Sequence, residues 1–516
     1  MDNEVFEAMP RGGFHRIKEI RDEYVDTAIL EKVTLSYVKK NMVMPLKVKD
    51  GHLLVALAGP RGIFTVNELE RITGFPVKPV FAEEKEITDA INRFFDRLSG
   101  SAQEVIDGLG VNIDAISTSW EEPRDLVDLT DEAPIIKLLN SLLFKAVKDR
   151  ASDIHIEPYE KEVEVRFRID GVLYPVLTPP KTIQEALSSR VKIMAGLDIA
   201  EKRLPQDGKI RLLVAGKDVY VRVSVIPTSF GERIVLRILD RKSEIIRLDR
   251  LGLNPAQVSS LEGLLTRNSG IILVTGPTGS GKTTTLYSAI GSINSTVRNI
   301  ITVEDPVEYQ LKGIGQVHVN PKIGLTFAHG LRSILRQDPD VIMIGEIRDR
   351  ETAEIAIQAS LTGHLVLSTL HTNDTASAVT RLVDMGIEPF LVASSVSGIL
   401  AQRLVRLLCP ECKKSYSPAP EEIRLFKTPP SRLYAAAGCE KCFDTGYYGR
   451  SGIFEFLIPG TEMRPMILKN QDSDTLKRHA LSKGMKTMAD DGLDKAALGI
   501  TSLDEVLRVT REDGEA

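Results

Sequence analysis

"IILVTGPTGSGKTTTLYSAI", residues 271–290, runs an apolar strand into a glycine-rich loop and out into a helix. The loop and first turn are Gly276, Pro277, Thr278, Gly279, Ser280, Gly281, Lys282, Thr283 and Thr284. Glycines let backbone N–H groups turn inward around phosphate oxygens, where side chains would block them. The helix that follows offers the positive end of its dipole to the same anion. Lys282 can reach the β- and γ-phosphates of a bound ATP, and Thr283 can supply a hydroxyl to Mg²⁺. Strand, loop and helix in this order predict an open α/β sheet that binds its ligand at the carboxyl ends of the strands.

Three more apolar runs fit the same sheet: 299–304, 341–345 and 364–370. "DPDVIMIGEIRD" (338–349) ends four apolar residues in Gly345 and Glu346. A carboxylate there can hold a metal-bound water or polarise the attacking one. "IITVEDPVEY" (300–309) places Glu304, Asp305 and Glu308 after another strand. Phosphoryl transfer to water needs a group that positions the nucleophile, and Glu304 and Glu346 are the two candidates. Glu308 reads as a solvated carboxylate. "GHLVLSTLHTND" (363–374) puts His364 and His371 at the two ends of a strand. His371, at the carboxyl end, can sense the γ-phosphate or brace a catalytic glutamate; its alternative is a purely structural role.

Four arginines, Arg203, Arg211, Arg222 and Arg233, fall in a strand-rich region upstream of the loop. A planar, always-charged guanidinium suits transition-state stabilisation, and such fingers arrive from a neighbouring domain or subunit. The alternative for each is an exposed strand residue or an ion-pair partner. All four cysteines lie late in the chain, as Cys409-x2-Cys412 and Cys439-x2-Cys442, with 26 residues between the pairs. Two knuckles of two thiolates match tetrahedral Zn²⁺ in a closed, structural site. The same clustering fits a reducing compartment better than a disulfide framework.

The remaining composition narrows the function. A net charge of −5 gives no sign of a surface built to coat nucleic acid. The first ten residues are acidic and polar, so no secretory signal is expected. No run of about 18 uncharged apolar residues occurs, so no membrane span is expected. Pattern and turn signals divide the chain into a small α/β domain over 1–98, a polar linker over 99–124, a second α/β domain over 125–240 and a hinge over 241–252. An α/β domain follows over 253–516, with a tetracysteine segment at 405–450 and a mostly helical stretch after Cys442.

"SDIHIEP", "RFRIDG", "RLPQDG", the phosphate loop, "VEDPVEY", "LRQDPDVIMIGEIRD", "TGHLVLSTLHTND", "AQRLVR" and the tetracysteine occur in this order. Together they resemble the secretion ATPase superfamily, and most of all the type II secretion system ATPases. That resemblance implies a RecA-like ATPase domain, a PAS-like second domain and ATP hydrolysis. It makes Glu346 the Walker B glutamate, Glu304 a water-positioning residue of the aspartate box and His371 part of the histidine box. Arg203 and Arg222 match the arginines that reach nucleotide from the second domain. "RVSV" stands where the family often has "RVST", so Val225 is a departure.

The resemblance further implies a cytoplasmic homo-hexamer, associated with the inner membrane through partners. Its first domain would dock on the cytoplasmic part of a membrane protein, and its motion would drive an inner-membrane platform. The Arg-Leu-Gly tandem by which some relatives bind a cyclic dinucleotide is absent, and that ligand is not expected. Rival readings are a type IV pilus assembly ATPase, a DNA translocase or helicase, and a nucleotide switch without turnover. The acidic balance and the lack of a basic or aromatic stripe weigh against nucleic acid.

Overall fold

The computed structural model describes residues 6–8, 15–17, 20–30, 32–33, 37–38, 41–59, 65–98, 134–214, 217–240 and 245–510. The linker expected at 99–124 lies outside them, as do residues 241–244 of the expected hinge. The chain divides into two compact units, Met1–Lys242 and Ser243–Ala516.

Among its described residues, unit one holds two sheets. In the first, β1 (Phe6–Ala8), β2 (His15–Ile17), β3 (Val43–Lys49), β4 (His52–Leu57) and β5 (Val77–Phe81) lie in the order β1-β2-β5-β4-β3. The β3–β4 hairpin turns at Asp50 and Gly51, whose φ angles of 50° and 74° need a residue tolerant of the left-handed region. The helix Glu84–Leu98 buries Ile87, Ala90, Ile91 and Phe94 in the same core as Leu53 and Val55.

The second sheet contains β6 (Asp153–Pro158), β7 (Val163–Ile169), β8 (Val172–Leu177), β9 (Gln206–Val214), β10 (Lys217–Thr228) and β11 (Gly231–Asp240). Its order is β8-β7-β6-β11-β10-β9, antiparallel throughout. Alternate residues of β7 are buried, as one covered face requires. Two helices, Pro134–Lys148 and Gln184–Ala195, supply that cover: Leu138, Leu142, Leu187 and Val191 share a core with Val165, Phe167, Val221 and Leu236. Pro134 opens the first helix, where its missing N–H costs nothing. The "SDIHIEP" run is β6, and its acids anchor basic residues of both neighbouring strands. Glu157 pairs with Arg166 of β7 and Arg233 of β11, and Asp153 accepts from Arg237 of β11 at 2.9 Å. Arg233 is thus an ion-pair partner within its own sheet.

Unit two is built on seven strands. They are β12 (Gly270–Thr275), β13 (Ile300–Glu304), β14 (Gly315–His318), β15 (Val341–Ile344), β16 (Leu365–Leu370), β17 (Val396–Leu408) and, after a small β18 (Lys414–Tyr416) and β19 (Leu433–Ala435) pair, β20 (Tyr447–Leu457). The order β14-β13-β15-β16-β12-β17-β20 is parallel up to β17, and β20 closes the edge antiparallel. Every residue of β12, β15 and β16 is buried, the signature of a parallel sheet covered on both faces. Ile271 and Leu273 of β12 pack with helices Arg350–Leu361 and Thr375–Asp384. Ile272 and Val274, pointing the other way, pack with helices Pro255–Leu265 and Lys282–Ile293. This three-layer arrangement places the loop after β12 at the carboxyl edge of the sheet.

The stretch after Cys442, expected to be mostly helical, opens with an eleven-residue strand, Tyr447–Leu457, before the helices Met463–Leu468, Ser473–Ser482, Met488–Ala497 and Leu503–Thr510. Its partner β17 was also hidden in the pattern, because "AQRLVR" interrupts the apolar run with two arginines.

Candidate active site

Helix Lys282–Ile293 starts at Gly281, whose φ of 89° only glycine adopts readily. The glycines are also needed for space. A Cβ at Gly276 would stand 2.3 Å from the Gln402 carbonyl oxygen, and one at Gly281 would stand 2.8 Å from the Gln402 side-chain nitrogen. The loop therefore lies directly on β17. Thr275, the last residue of β12, ties it on the other side. Its hydroxyl donates to the Thr372 carbonyl at 3.0 Å and accepts from the Thr372 N–H at 2.9 Å.

The loop, with Glu304, Glu346 and His371, lines a cleft of about 440 Å³. Lys282 is 8% exposed, and its ammonium donates to the carbonyls of Gly276 (2.7 Å) and Pro277 (3.0 Å). Burial pushes its pKa down, while the Glu346 charge pulls it back up. Glu346 follows β15 and is bound on both oxygens, by Arg348 at 2.5 Å and by His371 Nε2 at 3.1 Å. His364 stands at the opposite end of β16, with Nδ1 2.8 Å from the Ala359 carbonyl.

Glu304 ends β13 and is 3% exposed. One carboxylate oxygen accepts from Thr302 (2.5 Å) and Gln316 (3.1 Å), and the other from the Tyr287 hydroxyl. Burial, and then the neighbouring Glu304, push the Tyr287 phenol well above its ordinary pKa. Glu308 is half-buried and lines the cleft rather than standing free in solvent. Lys282, Thr283, Glu304, Glu346 and His371 thus meet around one space. Arg203 and Arg222 belong to unit one: Arg203 is 87% exposed and paired with Glu201 at 2.9 Å, and Arg222 sits on β10. Arg348, Leu404 and Arg450 also line the cleft, and sequence reading did not single them out. Arg348 and Leu404 lie inside quoted motifs, "LRQDPDVIMIGEIRD" and "AQRLVR"; Leu404 and Arg450 reach the site only through the pairing of β17 with β12 and β20.

The cysteines form a second centre. Their four sulfurs lie within 4.8 Å of one another, and all four are free thiols. Cys409–Cys439, Cys412–Cys442 and Cys439–Cys442 are separated by 3.8, 3.7 and 3.7 Å. Sulfurs held tetrahedrally about 2.3 Å from a zinc ion lie about 3.8 Å apart. Backbone N–H groups of Gly438, Cys439 and Gly446 point at sulfurs at 3.2–3.3 Å, as anionic thiolates require. The donor set fits zinc.

A phosphate loop on a central parallel strand, flanked by two strand-end carboxylates, defines a RecA-like P-loop ATPase. Residues 128–508 match the family model described as Type II/IV secretion system protein, and residues 16–101 match the MshEN domain model. The chain belongs to the type II/IV secretion system protein family.

It is 49% identical over 459 residues to the type II secretion system ATPase E of Vibrio cholerae, covering 88% of this chain and 91% of that one. It is 45% identical over 501 residues to the type IV pilus assembly ATPase PilB of Myxococcus xanthus, covering 96% and 88%. Among solved structures it resembles the pilus retraction motor PilT with bound ADP, at 30% identity and a TM-score of 0.50 over 73% of this chain and 97% of that one. The protein is an ATPase of the secretion and pilus motor class, and it hydrolyses ATP. Among the described residues, no helix is long and apolar enough to cross a membrane.

Proposed function

We propose that this chain is the cytoplasmic motor of a type II secretion system, converting ATP to ADP and phosphate to drive pseudopilus assembly. The observation that carries the chemistry is the meeting of Lys282, Glu304 and the Arg348–Glu346–His371 cluster around one phosphate loop. Lys282 neutralises the β- and γ-phosphates. Glu304 positions the attacking water and withdraws its proton as the P–O bond forms. Glu346, held by His371 and Arg348, fixes the polar network beside the γ-phosphate. The Thr283 hydroxyl would hold magnesium, which when bound neutralises phosphate charge. Arg203 and Arg222, of the second domain, are the arginines proposed to act on the phosphoryl group.

The domain plan behind this reading is 1–98 for docking on an inner-membrane partner, 125–240 as the arginine-bearing domain, 241–252 as hinge and 253–516 as the ATPase domain. Six chains form the ring, and the tetracysteine holds zinc. Secretion-type relatives in several organisms, at 47–49% identity, support the choice of machine. The pilus assembly reading is favoured by one observation, the PilB relative that covers 96% of this chain.

Lys282→Ala and Glu346→Gln are each expected to lower ATP turnover by at least about 100-fold. Turnover preserved in Glu346→Gln would remove that residue from the mechanism. Introduced into a strain lacking its own copy, the wild-type chain is expected to restore export of folded proteins. Restoration of pili without export would select the second reading.

A further inference from the structure

We propose that Tyr287 is a positioning residue for hydrolysis, whose hydroxyl fixes the Glu304 carboxylate and ties it to the helix that carries Lys282 and Thr283. This deepens the reading of Glu304 as the group that orients water, and it rests on that reading.

Tyr287 stands one turn beyond Thr283, so both project from one side of the helix Lys282–Ile293. Thr283 lines the nucleotide cleft, and Tyr287, 2% exposed, reaches the end of β13. Its hydroxyl donates to Glu304 Oε2 and accepts from the Glu308 N–H at 3.2 Å. Its ring meets Tyr309 edge-on, with centroids 5.5 Å apart. The phenol is therefore fixed in direction by ring packing and by a backbone donor, and its raised pKa keeps it a donor. Thr302 and Gln316 occupy the other carboxylate oxygen. A carboxylate offers about four lone-pair sites, and among the described residues Tyr287, Thr302 and Gln316 take three. The fourth, on the oxygen that Tyr287 holds, would address the attacking water. Tyr287 thus selects which lone pair of Glu304 faces the reaction.

Phenylalanine keeps the ring and deletes only the hydroxyl. In the full-length protein, Tyr287→Phe is expected to lower kcat about tenfold, the order expected for one lost hydrogen bond to a charged group. KM for ATP and the affinity for a non-hydrolysable ATP analogue are expected to stay within about twofold of wild type. In the double variant with Glu304→Gln, turnover should equal that of Glu304→Gln alone, because the tyrosine acts only through that carboxylate. Wild-type kcat in Tyr287→Phe, beside an inactive Glu304→Gln, overturns the proposal for Tyr287 and leaves the Glu304 reading standing. A Tyr287→Phe defect that multiplies with that of Glu304→Gln, or that falls on analogue affinity instead of kcat, also overturns it. Full turnover in Glu304→Gln overturns the underlying reading, and this proposal with it.

Discussion

Gln402 shows how much of a phosphate loop's shape is set by a residue outside it. It is 2% exposed on β17, and its side-chain oxygen accepts from the buried Thr285 hydroxyl at 2.6 Å across 117 residues of sequence. Its own carbonyl and amide crowd Gly276 and Gly281. The loop therefore lies directly against a buried glutamine. Gln402→Leu keeps roughly the volume but leaves the Thr285 hydroxyl without its acceptor, a cost of about 1–3 kcal/mol for a buried group. The expected outcome is a lower melting temperature and an ATP KM raised several-fold, with kcat reduced less. Calorimetry and steady-state kinetics on the same preparation check both. Equal KM in variant and wild type would show that the loop holds its form unaided. The contiguous run 276–284 announced itself in the sequence because its chemistry is local. Gln402 and Tyr287 could not be read there, since their partners are set by which strand lies beside which.

At the scale of elements, the same division holds. β12, β13, β15 and β16 are apolar runs ended by polar residues, so a parallel sheet with polar residues gathered at its carboxyl edge was readable from pattern. β17 and β20 were not. Arg406 of β17 interrupts the apolar run, and the structure pairs it with Glu505, a fully buried carboxylate of the helix Leu503–Thr510. These two strands also explain where the metal centre sits. β17 leads into Cys409 and Cys412, the chain makes an excursion through β18 and β19, and Cys439 and Cys442 return it to β20. Zinc would therefore close the base of a loop between the strands that carry Gln402, Leu404 and Arg450. Purified protein is expected to contain one zinc per chain by elemental analysis. Cys409→Ser, or a strong chelator, should remove it and open residues 413–438 to proteolysis before nucleotide binding is lost. Loss of binding in step with the metal would mean that the knuckle supports the phosphate loop directly.

At the scale of the whole molecule, the placement of the candidate residues in two units makes assembly testable. Lys282, Glu304 and Glu346 belong to unit two, whereas Arg203 and Arg222 belong to unit one. Arginine fingers act by placing charge against a phosphoryl group from a separate body, and in a ring that body can be the next subunit. If each site borrows its arginine from a neighbour, turnover per chain must rise with protein concentration as rings form. Two dead variants must then rescue each other. Lys282→Ala supplies an intact arginine but no working loop, and Arg222→Ala supplies the reverse. Mixed at equal amounts, half of the neighbour contacts bring one of each together. Half of those contacts face the productive way, so about one quarter of sites are expected to regain both parts. Recovered turnover approaching that fraction places Arg222 across a subunit boundary. A mixture as inactive as its components, in rings shown by subunit labelling to contain both variants, excludes a site at which Arg222 acts on a neighbour's loop.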